Sequence, residues 1–108
     1  MNKKQMEEAL NLIDAQAKEE ITVSSTAKTL TSATYGNYTR ALIQCQDANV
    51  RYWLDGSTPT TTSGYVLYRG EYLELHSATE LENFKAIRDD STDAVLAVSY
   101  YKPLTFSV

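Results

Sequence analysis

The chain is poor in the residues that commonly build chemical sites. Its 108 residues include one histidine, His76, and one cysteine, Cys45. A lone histidine cannot form a two-histidine metal site. A lone cysteine excludes an intrachain disulfide and a cysteine-rich zinc site. No metal or other cofactor is therefore expected. No apolar run approaches the roughly 20 residues that a membrane-crossing helix needs, so no membrane partner is expected. No apolar segment follows Met1-Asn2-Lys3-Lys4, which argues against a secretory signal. Basic residues are in the minority. Ten Lys and Arg against fourteen Asp and Glu give a net charge of −4, which argues against direct nucleic-acid binding, where a basic patch is the usual mark. A chain of this length builds one domain with its own core.

What is present changes character near residue 21. Residues 2–20 have no Gly, Pro or aromatic residue and are rich in good helix formers. Met6, Ala9, Leu10, Ile13 and Ala17 fall on one helical stripe, predicting an amphipathic N-terminal helical arm over residues 1–20. Its charges oppose the helix dipole, with Lys3 and Lys4 at the start and Glu19 and Glu20 at the end. Such a helix needs a surface to form on, either its own domain or a neighbouring chain.

Residues 21–108 form a β domain rich in Thr, Tyr, Val and Leu. Short strands are expected over 21–23, 27–31, 40–46, 50–54, 65–68, 72–76, 84–88 and 94–102. Alternation places Ala41, Ile43 and Cys45 on one face, with Arg40, Leu42, Gln44 and Gln46 on the other. Val50, Tyr52 and Leu54 oppose Arg51 and Trp53, while Leu96, Val98 and Tyr100 share a face of the longest strand. Turns are expected at 34–38, 47–49 and 69–71, a long loop over 55–64 and a polar hairpin loop over 89–93. Ser77 and Glu80 have capping-box spacing, predicting a short helix through Asn83. Strands repeating every 8–12 residues or so indicate a mainly β fold, an antiparallel sandwich or barrel.

Chemistry is sparse in this pattern. His76, at a strand end before a cap, is expected to be a surface side chain, and no nucleophile-elbow motif accompanies it. Cys45 alternates with inward residues and is expected to be an inert buried thiol. Asp89, Asp90 and Asp93 lack the glycine and terminal glutamate of a calcium loop and suit an ordinary polar loop. Asn37-Tyr38-Thr39 matches a glycosylation acceptor, taken as chance without a secretory signal. Tyrosine is the one excess, eight in the chain, and serves either rim packing or an interface.

A set of short segments carries a family resemblance. They are Ile21-Thr22-Val23, Ala33-Thr34-Tyr35, Asp47-Ala48-Asn49-Val50-Arg51-Tyr52, Gly64-Tyr65-Val66-Leu67, Asn83-Phe84-Lys85-Ala86-Ile87-Arg88 and Leu96-Ala97-Val98-Ser99-Tyr100. In these the chain resembles small β-sandwich, jelly-roll-like structural proteins of tailed-bacteriophage virions, of the capsid decoration or cement type. The resemblance implies an antiparallel β-sandwich preceded by the helical arm. It implies a non-enzymatic virion protein that binds the assembled shell. Its partners would be the major capsid protein or other virion proteins, and its own copies as a trimer or dimer. Met6, Leu10 and Ile13 of the arm, with Tyr52, Trp53 and Tyr68 on the strands, are the expected partner contacts. The alternative is a neck, tail or fibre component that binds host surface glycans. Tyr52, Trp53 and Tyr68 would then be stacking platforms, with Asn49 and Asp55 as polar partners.

Overall fold

A computed structural model describes residues 15–102. Eight strands form two antiparallel four-stranded sheets. In chain order they are β1 (Ala15–Val23), β2 (Lys28–Thr29), β3 (Arg40–Gln46), β4 (Val50–Trp53), β5 (Tyr65–Leu67), β6 (Tyr72–Leu75), β7 (Lys85–Arg88) and β8 (Ala94–Tyr101). One sheet has the order β1-β8-β3-β6 and the other β2-β7-β4-β5. Two short helices, α1 (Ser32–Tyr35) and α2 (Ala78–Asn83), sit in the connections. The mainly β expectation holds, and each strand expected from residue 40 onward is present within one or two residues of its place.

The core follows from side-chain alternation. Ala94, Leu96, Val98 and Tyr100 of β8 are at most 2% exposed, and their cross-strand partners Ala41, Ile43 and Cys45 are fully buried. Val50, Leu67, Phe84 and Ala86 join the same cluster from the second sheet's side, with Leu30 after β2 and Leu81 of α2 closing it. Cys45 is buried as expected, and its thiol donates to the Ala48 carbonyl at 2.9 Å. The Ser77 hydroxyl accepts from the Glu80 amide, so α2 begins where the capping spacing places it. The Glu80 carboxylate reaches back one residue further than in a closed capping box and accepts from the His76 amide at 2.6 Å.

Two expectations are corrected. Residues 15–20 are strand, not helix, so β1 crosses the position assigned to the arm–domain boundary. The remainder of the arm, with Met6, Leu10 and Ile13, lies outside the described residues. Tertiary pairing overrides helix propensity here. β1 pairs along its length with β8, from Ala15↔Tyr101 to Val23↔Ala94, and Ala17 and Ile21 pack against the core. Glu19 hides this period-two pattern by placing a carboxylate on the inward face. It is satisfied there: the Thr31 amide and hydroxyl donate to it at 3.2 and 2.6 Å, and the Tyr100 hydroxyl donates to it as well.

The second correction concerns residues 89–93, which join strands of different sheets and are an arch rather than a hairpin. Among the described strands only β4 and β5 are consecutive within one sheet; every other connection crosses between sheets. One end of the molecule gathers several crossings. The Asn49 side chain accepts from the Arg69 amide at 2.7 Å, the Asn49 carbonyl accepts from Asp89, and the Ser24 carbonyl accepts from Arg88.

Burial pushes the Cys45 thiol up to about 11; the Val50 amide opposes the shift, and Glu71 and Asp47 add to it. Burial, then the bond to Glu19, also raises the Tyr100 phenol. Both groups are neutral when folded, so their contribution is complete below the unfolded values and is lost at higher pH. Urea stability should therefore fall as the pH rises from the thiol's ordinary 9.0 toward about 11. Cys45→Ala should flatten part of that fall; an identical profile would remove the thiol as a cause. Separately, Tyr100→Phe should cost about 1–2 kcal/mol at neutral pH in the same assay, because Glu19 loses a donor.

Candidate functional site

Two surface features stand out, one on each sheet. The first is an aromatic cluster at one end of β4 and β5. Tyr52 lies directly across from Tyr65. Their ring centroids are 5.8 Å apart, Trp53 meets Tyr65 edge-on at 5.1 Å, and Tyr52 reaches Phe84 at 5.9 Å. The cluster therefore runs from a buried ring, Phe84, through half-buried Tyr52 to Tyr65, which is 60% exposed. Such pairs prefer tilted and edge-on contact because ring edges are positive and faces negative. Burial raises the Tyr52 phenol, with Tyr65 and Glu71 adding to the shift, so it stays a neutral donor.

The loop after β4 holds this end in place. It has a polar sequence, yet Pro59 is fully buried. A Cβ on Gly64 would stand 3.2 Å from the Tyr52 carbonyl and 3.3 Å from both Arg51 Cβ and Pro59 Cβ. Gly64 also has φ +134, so it is required both for its conformation and for the close approach. Arg51 fastens the loop from the strand: its Nη1 donates to the Gly64 carbonyl at 3.2 Å, and its Nε to Asp89 at 2.6 Å.

The structure brings together two of the expected contacts, Tyr52 and Trp53, and adds Tyr65. It does not bring Tyr68 to them. Tyr68 is 57% exposed but follows the other end of β5, about 10 Å along the strand from Tyr65. The expected polar partners serve turns: Asn49 binds the Arg69 amide, and Asp55 accepts from the Ser57 amide at 2.9 Å, which holds its carboxyl below the usual range. Met6, Leu10 and Ile13 lie outside the described residues.

The second feature is an open trough of about 550 Å³ on the β1-β8-β3-β6 sheet. Across its outward face Glu20, Ala97, Gln44 and Tyr72 form one row, and Lys18 and Ser99 begin the next. Small residues on central β8 make the floor, and longer side chains on its neighbours make the walls. Gln46 donates to Gln44 at 3.0 Å, aligning two amides along one wall. The alternation that isolates Gln44 and Gln46, together with Ala97 and Ser99 between large inward residues, could have identified this trough from sequence.

The remaining candidates are engaged elsewhere. His76 is a surface side chain, 60% exposed, with Nε2 3.3 Å from Glu74. Glu74 is 7% exposed at its side chain and also lies 3.5 Å from Arg40. In the 89–93 loop Asp89 meets Arg51, Asp93 meets Arg88 at 2.6 Å, and Asp90 accepts from the Ser91 amide. Among the described residues no three His, Cys, Asp or Glu side chains are grouped to hold a metal.

Gly64→Ala should destabilise the protein by about 1–3 kcal/mol, through strain at the loop's closest approach. Trp53 is the only tryptophan, so its emission should report the same change in a urea titration. A variant with unaltered stability and emission would show that the loop does not hold the aromatic cluster. Comparison of the chain with protein-family models, with curated proteins and with solved structures finds no match.

Proposed function

We propose that the chain is a non-enzymatic structural component of a phage virion, a capsid decoration protein that binds the assembled shell. The strand order carries this reading. Two sheets ordered β1-β8-β3-β6 and β2-β7-β4-β5 match the arrangement that two interleaved Greek keys generate. The eight strands are then the two layers of a jelly-roll β-sandwich, an architecture that recurs in viral capsid and lectin domains. Fold alone does not assign a role, so the contact surface must supply the rest. Tyr52, Trp53 and Tyr65 supply it at the end of the β4–β5 ribbon. Rings there already pack on Phe84, so little side-chain freedom is lost when a partner covers them.

The partner in this reading is the major capsid protein or another virion protein, with the chain present as a homodimer or homotrimer. Closed symmetric assembly suits the local axes of a shell. The trough favours a second reading, a neck, tail or fibre component that binds host surface glycans. Paired amides, a hydroxyl and a tyrosine along an open groove are suitable partners for sugar hydroxyls and ring faces.

Quantitative mass spectrometry of purified particles tests both. A copy number comparable to that of the major capsid protein is the expected result. A far lower number would move the chain to the neck, tail or fibre, and absence from particles would end both readings. In a shell-binding assay, Trp53→Ala combined with Tyr65→Ala should weaken binding by about tenfold or more, as loss of central aromatic contacts does at protein interfaces. Unchanged binding would exclude the aromatic cluster as the contact.

A further inference from the structure

The two sheets present four edge strands of unequal length. β2, β5 and β6 span two to four residues, whereas β1 spans nine. Among the described residues β1 pairs with β8 on one side and with no strand on the other. It contains neither proline nor glycine, and its only irregularity is confined to Ala15–Ala17. A long, regular edge is a template for another strand, and proteins usually guard such edges with charge, proline or bulges.

The charges on β1 make this edge selective for itself. Lys18 and Glu20 are exposed on the outward face, and neither forms an ion pair or hydrogen bond with a described side chain. We infer that β1 pairs antiparallel with β1 of a second copy of this chain, about a twofold axis through Glu19. In that register Lys18 faces the second copy's Glu20, and Glu20 faces the second copy's Lys18. On the inward face Ala17 meets the second copy's Ile21, extending the apolar row that already packs on the core. Glu19 would meet its own copy, but each carboxylate is turned to its own Tyr100 and Thr31, which satisfy it. A shift of one residue along the strand puts Lys18 against Glu19 and Glu20 against Ala17, and loses both outward pairs. Opposite charges across a strand pair stabilise and like charges destabilise, so the edge that repels many foreign strands accepts its own. The β1-β8-β3-β6 sheets of the two copies would become one continuous eight-stranded sheet. This inference deepens the homo-oligomer part of the proposed function by naming the surface and favouring the dimer.

Charge reversal with rescue tests it on the full chain, with mass measured by light scattering after size exclusion and the dimer constant by sedimentation. The wild type should be a dimer. Lys18→Glu and Glu20→Lys, each alone, should raise the dissociation constant by about tenfold through two like-charge pairs. The double variant K18E/E20K should restore the dimer, and an equimolar mixture of the two single variants should form a heterodimer. Circular dichroism checks that each variant is folded. A monomer at every concentration would overturn the inference, as would a dimer indifferent to all the reversals. Particle copy number is a separate readout: a rescued dimer absent from particles would leave the edge pairing standing and remove the virion reading.

Discussion

The position of β8 between β1 and β3 is the constraint on which the rest depends. Its inward residues, Ala94, Leu96, Val98 and Tyr100, supply much of the core. Its outward residues Ala97 and Ser99 are small, and for that reason the sheet is hollow on the other side. One alternating strand therefore fixes both the packing between the sheets and the shape of the trough. Tyr100 extends this control to the neighbouring strand. Its ring closes the core near Tyr35, with centroids 6.2 Å apart, and its hydroxyl holds Glu19.

The sequence was legible where side-chain period and local chemistry agreed. The alternation of Ile43 and Cys45 with Gln44 and Gln46 gave β3 and its faces directly, and Ser77 gave the start of α2. It was illegible where a distant partner changed the meaning of a residue. Glu19 resembles a solvent-facing helix residue until Tyr100 and Thr31 are placed beside it, and those contacts depend on the fold. Leu42 illustrates the same limit, for it lies on the outward, polar side of β3 and is nonetheless 2% exposed. The 89–93 segment has the composition of a hairpin loop, but composition does not distinguish a turn within a sheet from an arch between sheets.

The candidate site was legible in part for a related reason. Tyr52 and Trp53 are adjacent in sequence, and tyrosine excess points to them. Tyr65 joins them only through the β4–β5 register, and Tyr68 is excluded by the same register, because it follows the opposite end of the strand. The two sheets consequently offer surfaces of different character. One has aromatic rings anchored to the core and steadied by a folded-back loop. The other has amides and opposite charges over a floor of small side chains.

The pairing of β1 with β8 joins the first described strand to the last, with Ala15 opposite Tyr101. Topology of this kind slows folding, because a long loop must close before the contacts that stabilise it exist. It also sets a schedule during synthesis. Until β8 has left the ribosome, β1 has no strand to pair with, β3 lacks its central neighbour, and the apolar face of that sheet stays open. The β1 strand therefore waits through synthesis of every strand between it and β8, and its sheet closes only when β8 arrives.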